Sequence, residues 1–231
     1  MPPEKKDLSA FQNILSTSMD VQEALARGVL DGFAIRNVVL NHVSFENRVL
    51  RNVLMHRMSM VSLNCEGLNA EAVQWTESSM RGSTLRYCDF DGINMSNCEA
   101  IECQFDEGMI QNSGIFETMM SNGSFHKSKI VKTQFQSVEL YGANFENAFL
   151  AQCQFSDPKM GNASLTRANF HRAMLIDSSL KQANLFAANF SDAILIRVDL
   201  RETNLAMADM RGAVLIDCQI NPESREGALW S

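Results

Sequence analysis

The chain has 231 residues, 45% of them apolar, with a formal charge of −7 at pH 7, which suits a single domain with a sizeable core. The acidic balance argues against direct nucleic-acid binding and against an anionic membrane surface as partner, since both need a basic face. No run approaches the ~18 consecutive apolar residues of a membrane span, and the opening "MPPEKKDLSAFQNILSTSMD" lacks the apolar stretch of a secretory signal, so a cytoplasmic protein is expected.

Residues 1–27 read as an N-terminal helical cap. Leu8, Phe11, Ile14 and Leu15 follow helical spacing, Asp20 with Glu23 three places on has the form of a capping box, and Gly28 has the form of a helix stop. A cap is needed here because residue 28 begins a repeat array, which otherwise exposes sheet edge and core at its end.

From residue 28 to 221 an apolar residue returns every five places. Every position divisible by five from Leu30 to Ile220 is apolar, and all are Leu, Ile, Met, Phe or Trp except Cys65, Ala70 and Ala100. Neither a helix at 3.6 nor a strand at 2 gives this period. A second column, two residues earlier, is mostly small from position 78 onward, as at Ser83, Cys103, Ala148, Ala168, Ala188 and Ala208. The residue between the two is often Asn or Asp, and the last two of each unit are mainly polar. Two inward residues in five, one large and one small, suit a closed coil of short straight sides. Its backbone would pair with the coils above and below, about 4.8 Å away.

Two departures carry expectations. At Cys65 and Ala70 the large and small columns exchange, with Leu63 and Leu68 as the large members, a swap that roughly conserves volume. Arg48 falls in the inward small column, where an unpaired charge is expensive, so a local bulge or a side chain escaping to solvent is expected. Pro222 ends the repeat. Residues 222–231 form a tail that offers Leu229 and Trp230 as a lid, and no long helix is expected there.

The units "ANFHR", "SSLKQ", "ANLFA", "ANFSD", "TNLAM" and "ADMRG" resemble the A(D/N)LXX units of pentapeptide repeat proteins. The match is strong from about 143 to 220, and degenerate but in phase from 30 to 142. The resemblance implies an all-β solenoid, a right-handed quadrilateral β-helix with four units per coil. It implies about ten coils, hence a rod on the order of 45 Å long.

Five of the six cysteines (Cys88, Cys98, Cys103, Cys153 and Cys218) sit in the small inward column and Cys65 in the large one, with no pair twenty residues apart and no CxxC. They read as buried free thiols packed as small hydrophobes. His42, His56, His126 and His171 each fall on a different side, so no histidine cluster for metal or catalysis is expected. Asp157 and Asp177 stack one coil apart. A weak cation site there is outweighed by a solvated charged face. No catalytic, cofactor or metal site is expected, and the protein reads as a non-enzyme.

The candidate site is a contact surface. Outward positions should be polar, yet Met174, Ile194 and Val214 recur at twenty residues just before the large core residue, and Ile176, Ile196 and Ile216 just after it. They predict two adjacent apolar columns rimmed by Asp177, Arg197 and Asp217, with Phe186 and Met207 adding apolar area on the opposite side. Such a patch fits a homodimer or a separate protein partner. The C-terminal tail folding over it is the structural alternative. The resemblance also implies a second reading, a DNA-mimicking binder and protector of the topoisomerase DNA gyrase. Net charge favours it, but no side is a continuous acidic stripe. A third reading is a secreted bacterial effector, compatible with the Ser/Thr-containing first twenty residues. The leading expectation is a rigid, homodimeric interaction scaffold in the bacterial cytoplasm.

Overall fold

A strand of three residues cannot bury its own large side chain, so each segment takes its hydrogen-bond partner from the residue twenty places on. The computed structural model describes residues 11, 13–40 and 43–230. The chain winds through about ten turns of a parallel β-solenoid, four five-residue sides to a turn. Face I carries the large residues from Leu15 to Leu215 in one eleven-stranded parallel sheet. Faces II (Leu40 to Ile220) and III (Phe45 to Leu205) are joined mainly by single bridges, coil to coil. Face IV is a six-stranded sheet from Leu30 to Ile130, continued by single bridges as far as Asp209 with Leu229.

The period of five is the period of burial. Phe125, Leu175, Leu195 and Leu205 are at most 1% exposed. Rings one coil apart lie flat on one another: Phe105 on Phe125 at 4.9 Å between centroids, Phe125 on Phe145 at 4.6 Å, Phe135 on Phe155 at 4.7 Å and Phe170 on Phe190 at 4.8 Å. The exchanged columns are both buried at Leu63, Cys65, Leu68 and Ala70, and the one cavity described there is about 10 Å³, about the space of one water probe.

Polar members of the small column bond to the coil before. Ser83 donates to the carbonyl of Met60 at 2.7 Å and accepts the N–H of Leu63, which closes a corner of that coil. Cys98, Cys103 and Cys153 donate in the same way to the carbonyls of Trp75, Met80 and Ile130. Corners turn sharply because, among the described residues, the second residue after each large one is left-handed, from Gly32 to Asp217, with φ between +48° and +62° wherever it is not glycine. Asn and Asp tolerate that conformation. Glu77, Arg57, Tyr87 and Ala187 also adopt it, each at a cost on the order of 1 kcal/mol that the coil-to-coil pairing offsets.

The ends differ from the sequence expectation. Ile14 and Leu15 are not helical: Asn13–Leu15 is a strand that pairs with Phe33–Ile35 and extends face I. Helix α1 is Ser18–Leu25, and its capping box is Thr17 with Asp20, not Asp20 with Glu23. Each backbone N–H of that pair reaches the other's side chain at 3.1 Å. Val21, Ala24 and Leu25 are buried against the first coil, and Gly28, at φ +85°, turns the chain into it. Leu8 lies outside the described residues. Arg48 does not escape cleanly: it is half-buried, and its Nε is buried without a partner.

At the other end a short helix, α2 (Pro222–Glu226), follows the repeat. The tail then resumes face IV, with the N–H of Met210 bonded to the carbonyl of Leu229 and that of Leu229 to the carbonyl of Ala208. Trp230 packs partly buried on the core and donates to the Arg225 carbonyl at 2.8 Å, whereas Leu229 points outward, 53% exposed. The expected two-residue lid is therefore a one-residue lid. Ala213, Leu215, Cys218 and Ile220 of the last coil stay partly exposed.

Candidate interaction face

Why the apolar columns stand on face I is explained by how its sides are built. On the other faces the residue before the large one is often Asn or Asp, whose side-chain oxygen accepts the N–H two places on. Asn144 takes that of Glu146, Asn169 that of His171, Asn184 that of Phe186, and Asp199 and Asp209 those of Arg201 and Arg211. These are Asx turns, and they demand a polar residue. Face I instead runs as regular strand, where β-branched residues are favoured and no such demand exists.

Met174–Ile176, Ile194–Ile196 and Val214–Ile216 pair in parallel, Met174 beside Ile194 beside Val214, and Ile176 beside Ile196 beside Ile216. The sequence-predicted residues thus come together as two columns flanking buried Leu175 and Leu195. Met174, Ile176, Ile194 and Ile196 are half-buried by their neighbours, while Val214 is 49% and Ile216 45% exposed. The C-terminal tail runs on face IV and leaves the patch open.

One corner of the face carries Asp177, Arg197 and Asp217. Arg197 grips Asp177 with two bonds, Nε at 2.5 Å and a terminal nitrogen at 2.7 Å, which hold the Asp177 carboxyl below its usual range. That pair replaces the Asp157–Asp177 cation site weighed from sequence. The opposite corner carries Arg172, Asp192 and Gly212, which the sequence reading missed. Their shared phase, two residues after the large one, was the signal. The Asp192 carboxylate lies over Gly212, where a Cβ would collide with Oδ1.

Nearer the N-terminus, the same face holds an open groove of about 640 Å³ between the Gln74, Asn94 and Gln134 amides and Phe116, whose ring lies across Gly114. Phe186 is half-buried and Met207 63% exposed, without a second column beside them.

Burial pushes the thiols up, Cys98 and Cys153 to about 11, Cys88 and Cys103 to about 12, and Cys65 further. Cys218 departs from expectation by being partly exposed, because no full coil follows it. His56 bonds Thr76 and His171 the carbonyl of Ser191, while His42 lies outside the described residues. Among the described residues, no three His, Cys, Asp or Glu side chains are grouped to hold a metal.

A family model described as pentapeptide repeats matches residues 133–172, 159–192 and 193–221, in eight copies. Residues 133–221 carry pentapeptide repeats. Comparison of this repeat protein with curated proteins returned no match. Among solved structures it is similar to full-length QnrB1, described as a plasmid-mediated fluoroquinolone resistance protein, at 14% identity over 73% of this chain and 93% of that one, TM-score 0.55. It is also similar to HetL, a pentapeptide repeat protein involved in heterocyst differentiation regulation from the cyanobacterium Nostoc, at 19% identity over 92% and 96% of the two chains, TM-score 0.42. At these identities the likeness to QnrB1 is one of fold.

Proposed function

We propose that this repeat protein is a non-catalytic interaction scaffold of the bacterial cytoplasm whose face I patch binds a second copy of the chain. The observation that carries the reading is the stacking of six apolar side chains in strand register on three successive coils, on the one face whose strands carry no Asx turns there. Isolated surface apolar residues are common. A contiguous, rigid block of them marks an interface. The raised thiols support a non-catalytic reading, since a nucleophilic cysteine needs a lowered pKa.

Ile196, at the centre of the patch, points away from the core between Met174–Ile176 and Val214–Ile216. Ile196→Asp should leave the far-UV circular dichroism unchanged and convert a dimer to a monomer in light scattering coupled to gel filtration. A wild type that is monomeric at high concentration overturns the homodimer. A mutant that unfolds overturns the outward assignment.

A second reading, a protein that occupies a DNA-binding enzyme such as gyrase in place of duplex DNA, is supported by the net charge of −7 and by the fold shared with QnrB1. It ranks second because the acids on the corners of face I are interrupted, by Arg57, Asn97, Ser137 and Arg197 on one corner and by Lys132 and Arg172 on the other, instead of forming a continuous phosphate-like stripe. A supercoiling assay with purified gyrase tests it.

A further inference from the structure

We infer that the two copies pack face I to face I with their rods parallel, the two-fold axis running along the solenoid, and that corner charges fix this orientation. The inference rests on the homodimer reading above. Two symmetric ways of stacking the face on itself keep strands aligned with strands, and both bring the apolar columns together. They differ in which charges meet.

If the axis runs along the strands, the coil order is reversed. Asp177 then meets the partner's Asp217, while Arg197 and Asp192 each meet their own copies. If the axis runs along the rod, each coil meets the same coil of the partner and the two corners exchange. Arg172 then meets the partner's Asp177, and Asp192 meets the partner's Arg197. Arg172 is exposed and has no ion-pair partner among the described residues. Asp177 and Arg197 are already joined in each chain, so every corner becomes an alternating run of four charges. The other corner pairs of the face bring no like charges together: Asn52 with Arg57, Asn112 with Glu117, Lys132 with Ser137, Gln152 with Asp157 and Gly212 with Asp217.

Area favours the same choice. Overlap limited to the three patch coils covers roughly 15 Å by at most ~16 Å, or ~240 Å². Parallel rods oppose all eleven strands, about 48 Å by at most ~16 Å, or up to ~770 Å² per chain, near the ~800 Å² of a stable interface.

The test is charge reversal read by light scattering and sedimentation at low salt. Arg172→Glu and Asp177→Lys should each raise the dimer dissociation constant at least tenfold, since each acts twice in a symmetric dimer. The double variant should recover most of that loss. In the Arg172→Lys variant, a carbodiimide should link the introduced amine to the partner's Asp177; within one chain the two positions lie at opposite ends of a side. A wild-type dimer with neither recovery nor this cross-link overturns the parallel geometry and leaves the homodimer standing. A monomeric wild type overturns both.

Discussion

Replacing Phe125 with alanine tests whether the stacked rings hold the rod together. Phe125 is fully buried, with Phe105 on one side at 4.9 Å and Phe145 on the other at 4.6 Å. A buried Phe→Ala change costs about 3–5 kcal/mol from lost burial and the cavity left behind. Each ring pair contributes a further ~0.5–1.5 kcal/mol, and two are lost at once, so a cost at or above the upper end, about 5 kcal/mol, is expected. Phe45 is the control. It is equally buried, has no ring partner among the described residues, and borders the small cavity already present, so Phe45→Ala should cost nearer 3 kcal/mol. Guanidinium unfolding followed by far-UV circular dichroism and tryptophan fluorescence measures both. A Phe125→Ala cost below about 2 kcal/mol, or one no larger than that of Phe45→Ala, refutes the stacked core.

Under native conditions a thiol reagent should label Cys218 first and leave Cys65, Cys88, Cys98, Cys103 and Cys153 slow up to about pH 10, because burial holds them protonated. Mass spectrometry of the labelled peptides reads this, and fast labelling of Cys103 contradicts the register. Asp177, Asp199 and Asp209 are held below the usual carboxylate range by Arg197, Arg201 and Arg211. They bind protons less readily folded than unfolded, so their stabilisation is present above about pH 4 and fades as pH falls through the lowered folded values. Thermal melts between pH 7 and pH 2 should show that loss, and a melting temperature rising with acid refutes the pairing.

The core of this fold could be read from the chain because one large residue per side must be buried, and Leu175, Leu195 and Leu215 announce that by spacing alone. The same phase places Ile194 and Ile196 outward, so the patch was legible too. The corners were not: the left-handed position is filled by Glu77, Arg57, Tyr87 and Ala187, residues with no turn signature. The helix start slipped because Thr17 with Asp20 and Asp20 with Glu23 both have capping-box spacing, and only contact with the first coil decides between them. Asn13–Leu15 has helical spacing, but an open sheet edge beside Phe33 gives its backbone a better partner. The exposure of Cys218 depends on where stacking stops, which its local sequence does not encode. The Asp177–Arg197 pair was within reach, since opposite charges twenty apart on one corner must meet once the coil length is known.

The constant twenty-residue step between paired strands has a kinetic consequence. Ladder partners separated by 20 of 231 residues give a relative contact order on the order of 0.09, the range of helical bundles rather than of β-sandwiches. Such a chain can zip up from any coil that nucleates, each new turn closing only a short loop on a finished template. It must also come apart from its ends. The N-terminal end is held by α1, whereas the last coil leaves Leu215 and Ile220 only partly covered. The turn that frays first is therefore the one that carries Val214 and Ile216. A copy bound on face I would clamp that loose end, so association and the first step of unfolding should be governed by the same few side chains.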